Sequence, residues 1–96
     1  MSCYHVSRRA DAHLLAIYVY GRKYFGRPQA ITYQQELEDC FAMLARHPQA
    51  GRLSPSVRKG VRRHEHASHM ILRRETADGI AILAVLHQRQ LRGLRL

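Results

Sequence analysis

Apolar residues recur along this chain with two different periods, and each period points to a different kind of structure. Tyr4-His5-Val6 is a short β-prone run and Ser7 after it is a good helix N-cap, so a strand should lead directly into a helix. From position 8 to about 25, Ala10, Leu14, Ile17, Tyr18 and Phe25 recur at three- and four-residue spacings and share one helical face. Gly26 stops that helix, and Pro28 sits where the first turn of a second one tolerates proline, because its missing N–H has no intrahelical partner there. Ala30, Tyr33, Leu37, Cys40, Phe41 and Leu44 form the second apolar stripe; Gln34, Gln35, Glu36, Glu38 and Asp39 form its wet side, and Pro48 ends it. With a link of only about three residues the two helices, spanning about 8–47, should fold back as an antiparallel hairpin.

Beyond the hairpin the period changes. Positions 48–60 contain Gly51, Ser54, Pro55, Ser56 and Gly60, a composition of turns that reads as a basic loop. Positions 61–66 and 69–75 look like two short strands with Ala67-Ser68 as their turn, and Asp78-Gly79 marks the next turn. Seven continuous apolar residues at 80–86 suit a strand buried on both faces or at the centre of a sheet. Strands thus occupy about 61–87. The tail, 88–96, spaces Leu91, Leu94 and Leu96 among arginines and reads as a short helix or an arm ordered by a partner. The order β-α-α-β-β-β predicts one α+β domain over 1–96: an N-terminal strand, and a helical hairpin packed on one face of a small, mostly antiparallel sheet. The other sheet face is expected to be uncovered and to carry most of the arginines and histidines.

Charge gives that expectation a consequence. The net charge is +9, with five Lys/Arg against four Asp/Glu before position 46 and eleven against three from there on, so the second half holds +8. Such asymmetry favours a polyanionic partner: nucleic acid, a ribonucleoprotein or an acidic protein segment. No stretch approaches the roughly 20 apolar residues of a membrane span, and the start lacks the apolar run of a signal peptide, so a cytoplasmic location without membrane contact is expected. Cys3 and Cys40 read as reduced thiols.

Ser7-Arg8-Arg9-Ala10-Asp11, Ile17-Tyr18 and Phe25-Gly26 resemble the opening of RelE/ParE-family toxins. Ala30, Leu44-Ala45-Arg46-His47-Pro48, Gly51-Arg52, Gly60-Val61-Arg62, His69 and the ending Ile82-Leu83-Ala84-Val85-Leu86-His87-Gln88-Arg89 continue the pattern in order, over roughly residues 4–90. The resemblance implies a toxin of a type II toxin–antitoxin pair, neutralised by an antitoxin, ParD-like or similar, encoded nearby. It leaves two targets open: DNA gyrase for the ParE-like branch, or the ribosome and its mRNA for the RelE-like branch.

Metal-free RNA cleavage needs proton-transfer groups and cations at the phosphate. A RelE-like centre would draw on His87 and Arg89 with Arg62 and Arg73; Arg63 and Arg74 are further phosphate candidates. RelE-like toxins commonly use a C-terminal tyrosine and a last-strand arginine, but all five tyrosines here precede position 34 and Ala84 stands where many relatives have arginine. These departures favour the ParE-like branch, in which a non-enzymatic toxin traps gyrase by surface contact. Its candidate contacts are Arg52, Arg58 and Lys59 on the loop and Arg89, Arg92 and Arg95 on the tail. The His64, His66 and His69 cluster raises the question of a metal, but a turn explains it equally well, and neither metal nor cofactor is expected. A third reading is an inactive toxin fold kept as an interaction module.

Overall fold

The computed structural model describes residues 3–53 and 58–87. Its elements are β1 (Cys3–Val6), α1 (Arg8–Phe25), α2 (Arg27–Arg46), β2 (Arg52–Leu53), β3 (Val61–His66), β4 (His69–Thr76) and β5 (Gly79–His87). The five strands form one mixed sheet in the order β1-β5-β4-β3-β2. β1 pairs parallel to β5, with Cys3 opposite Gly79 and Val6 opposite Ile82, and the remaining pairs are antiparallel. The α+β order is the one the hydrophobic pattern predicts. Two boundaries move: the turn before the last strand is Ala77-Asp78, with Gly79 already paired, and the expected loop contains the two-residue strand β2.

Ser7 does two jobs at the first strand-to-helix junction. Its Oγ accepts the Ala10 N–H at 3.1 Å, capping α1, and donates to the Leu83 carbonyl at 3.1 Å. Leu83 is the extra residue of a bulge: Leu72 pairs with Ala84 but Arg73 pairs with Ile82, which leaves Leu83 without a cross-strand partner. Two residues on, the Val85 N–H donates to His13 Nδ1 at 3.2 Å. The sheet is thus pinned to α1 by polar groups on both sides of the bulge. At the far end of the hairpin the Gly26 N–H bonds to the Arg22 carbonyl, and Gln34 Nε2 donates across to the Leu14 carbonyl at 2.9 Å.

One core lies between hairpin and sheet. Leu37, Cys40, Phe41 and Leu44 of α2 and Ala10 of α1 pack on Ile71, Ile80, Ile82 and Val85. Tyr4 meets Phe41 edge-on at 5.6 Å between ring centroids, tying the edge strand to the same core. The opposite sheet face is not bare, as the order of elements suggested. Val61, Met70, Leu72, Ala84 and Leu86 form a second apolar cluster there, with Leu72 and Ala84 at 0% exposure. β5 is therefore apolar without interruption from Ile80 to Leu86, being buried on both sides.

Directly opposed residues of an antiparallel pair share a face, and this corrects the placement of the histidines. His64 opposes Ile71, His66 opposes His69 and His69 opposes His87, so all four point to the side of Ile71, under the hairpin. Arg62 opposes Arg73 on that same side. Arg63 and Arg74 point the other way.

His13 accepts a hydrogen bond through Nδ1 and so must be unprotonated. Burial first, and then the Arg9 charge, hold its pKa below the ordinary 6.5. His64 and His69 are lowered as well, again mainly by burial. A histidine depressed in the folded state contributes stability that is present above about pH 6.5 and is lost as the pH falls through its folded pKa. The melting temperature is therefore expected to drop between pH 7.5 and pH 5, and His13→Gln, which keeps an acceptor and cannot protonate, to flatten the drop. A wild-type curve level over that range would contradict this account.

Candidate functional site

α1 and α2 do not cover the sheet evenly. Gly21 lies close against Ala30, where an added Cβ would sit 3.5 Å from the alanine methyl, so the helices approach each other near the tip of the hairpin. Beside that contact a groove of about 850 Å³ opens between the hairpin and the β4–β5 end of the sheet, lined by Ile17, Tyr20, Phe25, Tyr33, His69 and His87 among others. Tyr20 is 59% exposed and Phe25 58%, and Leu15, Val19 and Tyr24 extend the apolar surface along α1. The Tyr20 and Tyr24 rings meet at 4.6 Å between centroids, tilted by 43°. Phe25, whose spacing suggests a core position, is thus on the surface, because α1 buries only Ala10 fully.

The floor of the groove is a polar contact. The Tyr33 hydroxyl lies 2.7 Å from His69 Nδ1 and 3.4 Å from the His66 carbonyl. Burial and the nearby Glu36 charge push the Tyr33 pKa up to about 12, so the phenol keeps its proton at neutral pH. Burial, His87 and His66 push His69 below the ordinary histidine range, and the imidazole tautomer decides whether the phenol proton goes to Nδ1 or to the His66 carbonyl. The His69 and His87 rings stand edge-on at 5.9 Å. His66 Nε2 approaches Glu36 Oε1 to 3.6 Å, slightly beyond hydrogen-bond range. The histidine cluster is therefore arranged around Tyr33, and among the described residues no group of three metal-ligating side chains comes together. Nor does any Lys or Arg line the groove among them. Aromatic and aliphatic walls with a few polar anchors suit an amphipathic peptide segment.

Of the described residues proposed for RNA cleavage, Arg62 and Arg73 face each other across β3 and β4, and His87 stands apart from both. His87 sits opposite His69, while Arg73 stands four residues further along β4, about 13 Å at strand spacing. Arg73 is also 0% exposed. Its Nη2 donates to the Ala50 carbonyl, Nε and Nη1 find no acceptor among the described residues, and burial followed by the Arg62 charge lowers its pKa. Arg62 Nη1 donates to the carbonyls of Gln49 and Gly51 at 3.0 and 3.2 Å. Both guanidiniums are thus tied to the segment that follows α2. Ala84 faces Leu72 inside the second cluster, a position without space for an exposed arginine. Of the surface cations, Arg52, Arg58 and Lys59 are exposed on β2 and at the approach to β3; Arg89, Arg92 and Arg95 lie outside the described residues. Sequence reading treats Tyr33 as core packing and misses Tyr20 and Tyr24. The clue available was the excess of aromatic residues at the end of α1 over what one buried stripe needs.

Comparison with known proteins agrees with this architecture. The sequence profile described as "ParE toxin of type II toxin-antitoxin system, parDE" matches residues 4–92. Toxin ParE1 of Caulobacter vibrioides is 38% identical over 88 residues, 92% of this chain and 91% of that protein. Toxin ParE1 of Mycobacterium tuberculosis is 36% identical over 89 residues, with 92% and 91% covered. A chain from a structure of the chromosomal ParDE toxin–antitoxin system of P. aeruginosa superposes with a TM-score of 0.75 at 27% identity, covering 91% of this chain and 96% of that one. On fold, length and sequence together, this chain belongs to the ParE toxin family of type II toxin–antitoxin systems, within the RelE/ParE superfamily.

Proposed function

We propose that this toxin acts in the bacterial cytoplasm by binding and poisoning DNA gyrase without cleaving RNA itself, and that a cognate antitoxin neutralises it by laying an amphipathic segment along the hairpin groove. The observation that carries the first half is the dispersal of the catalytic candidates. Arg73 is sealed in the interior, Arg62 is tied to the segment after α2, and the His69–His87 pair lies about 13 Å along the strand from Arg73. A toxin acting by surface contact needs none of them in one place. The groove supports the second half, since it offers apolar walls next to polar anchors in a protein whose family is defined by toxin–antitoxin pairing.

Purified toxin added to gyrase should inhibit supercoiling and increase the amount of cleaved DNA trapped on the enzyme. Translating ribosomes given the same toxin should leave their mRNA intact. Inhibition of neither reaction, or mRNA cleavage without any effect on gyrase, would overturn the gyrase reading.

A further inference from the structure

The residues from Gly51 to Arg74 hold an arrangement that stability alone does not explain. Arg52 of β2 stands directly opposite Arg63 of β3. Arg74 of β4 opposes Val61, on the same face as Arg63 and one diagonal step away. Directly opposed β residues have Cβ atoms about 5 Å apart and diagonal ones about 7–8 Å, so three guanidiniums share one side of the sheet across roughly 10 Å. Like charges placed opposite each other destabilise a sheet. Among the described residues no carboxylate lies within ion-pair distance of any of the three, the recorded pair being His66 with Glu36. Glu65 shares their face without pairing, and Arg58 and Lys59 add two exposed cations at the approach to β3.

The row is also built rather than left over. β2 is two residues long and would have little reason to pair by itself. Gly51 brings it in: φ there is +83°, and an added Cβ would lie 2.4 Å from the Arg63 carbonyl oxygen, so only glycine permits the approach. Arg62 then clamps the Gln49 and Gly51 carbonyls, and buried Arg73 holds Ala50. Two inward-facing arginines thus fix the segment that presents Arg52 beside outward-facing Arg63. A preorganised, unpaired cationic row on a pleated surface fits a regular line of negative charges. We infer that Arg52, Arg63 and Arg74 form a binding site for the phosphate backbone of duplex DNA, so that the toxin grips the DNA held by its target as well as the target's protein. The site is distinct from the hairpin groove, which carries no Lys or Arg among the described residues. It rests on the gyrase reading only for the identity of the DNA.

The test is binding of the intact toxin to a labelled 30-base-pair duplex over a range of salt concentrations, beside an equally labelled polyglutamate peptide. Each phosphate neutralised contributes about 0.9 to the slope of log affinity against log salt. The triple variant R52Q/R63Q/R74Q should therefore lose about 2.7 from that slope, and roughly 500-fold in affinity at 0.1 M salt. Each single variant should lose about 0.9 from the slope, which keeps the test usable should the triple variant fold poorly. Relief of like-charge opposition should leave the melting temperature of Arg52→Gln at low salt unchanged or higher, whereas a structural arginine would lower it. Unchanged slopes in folded variants, or binding to polyglutamate without binding to DNA, would overturn the inference, the latter in favour of an acidic protein partner. A toxin that binds DNA through these arginines yet leaves gyrase active would refute the gyrase reading alone.

Discussion

Replacing Gly79 with alanine should lower the melting temperature by about 10–25 °C, although the change adds a single methyl group. A Cβ at that position would lie 1.7 Å from the Cys3 carbonyl oxygen and 2.8 Å from the Cys3 nitrogen. Both obstacles are backbone atoms of the neighbouring parallel strand, so no side-chain rotation can relieve the clash. β1 must move away from β5. Its four paired residues would lose ladder hydrogen bonds, each contributing about 0.5–1.5 kcal/mol net, and Tyr4 would withdraw from Phe41. A total of about 2–4 kcal/mol is a large part of the 5–15 kcal/mol that stabilises a domain of this size. Gly21→Ala is the matched control. There the new methyl meets the Ala30 methyl at 3.5 Å, an ordinary contact, and alanine favours the helix by up to about 1 kcal/mol. Thermal melts of the two variants should shift in opposite directions or differ by at least 10 °C; equal melts would refute the close-approach account.

Phe25→Asp should weaken antitoxin binding by about 30- to 1,000-fold while leaving the free toxin's stability nearly unchanged. Aromatic anchors at the centre of an interface commonly carry 2–4 kcal/mol, and tenfold in affinity corresponds to about 1.4 kcal/mol. Phe25 lines the groove at 58% exposure, so the fold loses little when it is removed, whereas a carboxylate there would have to be desolvated under a docked apolar segment. Tyr20→Ala should act in the same direction to a smaller extent, because the neighbouring Tyr24 and Phe25 rings remain. Calorimetry with the cognate antitoxin measures both. A Phe25→Asp toxin still bound within threefold of the native affinity would place the antitoxin elsewhere.

Much of the fold is legible in the residues because local rules agree there. Ser7 before a helical stripe, Gly26 with Pro28 between two stripes, and Ala67-Ser68 between two strand runs each give the element boundaries found in the structure. β2 was not legible, since two residues carry no period, and its pairing depends on how closely Gly51 can approach Arg63. Phe25 shows the limit in the other direction. Its spacing matches the apolar stripe of α1, but at the end of that helix it lies against Tyr20 and stays 58% exposed.

The candidate site divides along the same line. Composition alone establishes that the second half of the chain carries the charge and that the aromatic residues lie in the first, so a basic surface and an aromatic one must come from different segments. Alternation alone requires Arg73 and Arg74 to point to opposite faces, and likewise Arg62 and Arg63. Whether Arg73 or Arg74 is buried cannot be decided locally, because β4 is apolar on both faces through Met70, Ile71 and Leu72. Only the tertiary structure settles it: the hairpin packs on the face that bears Ile71, so Arg73 is enclosed with it and Arg74 is left to solvent. A period-two strand specifies which residues share a face. Long-range packing of the helices specifies which of the two adjacent arginines on β4 is enclosed.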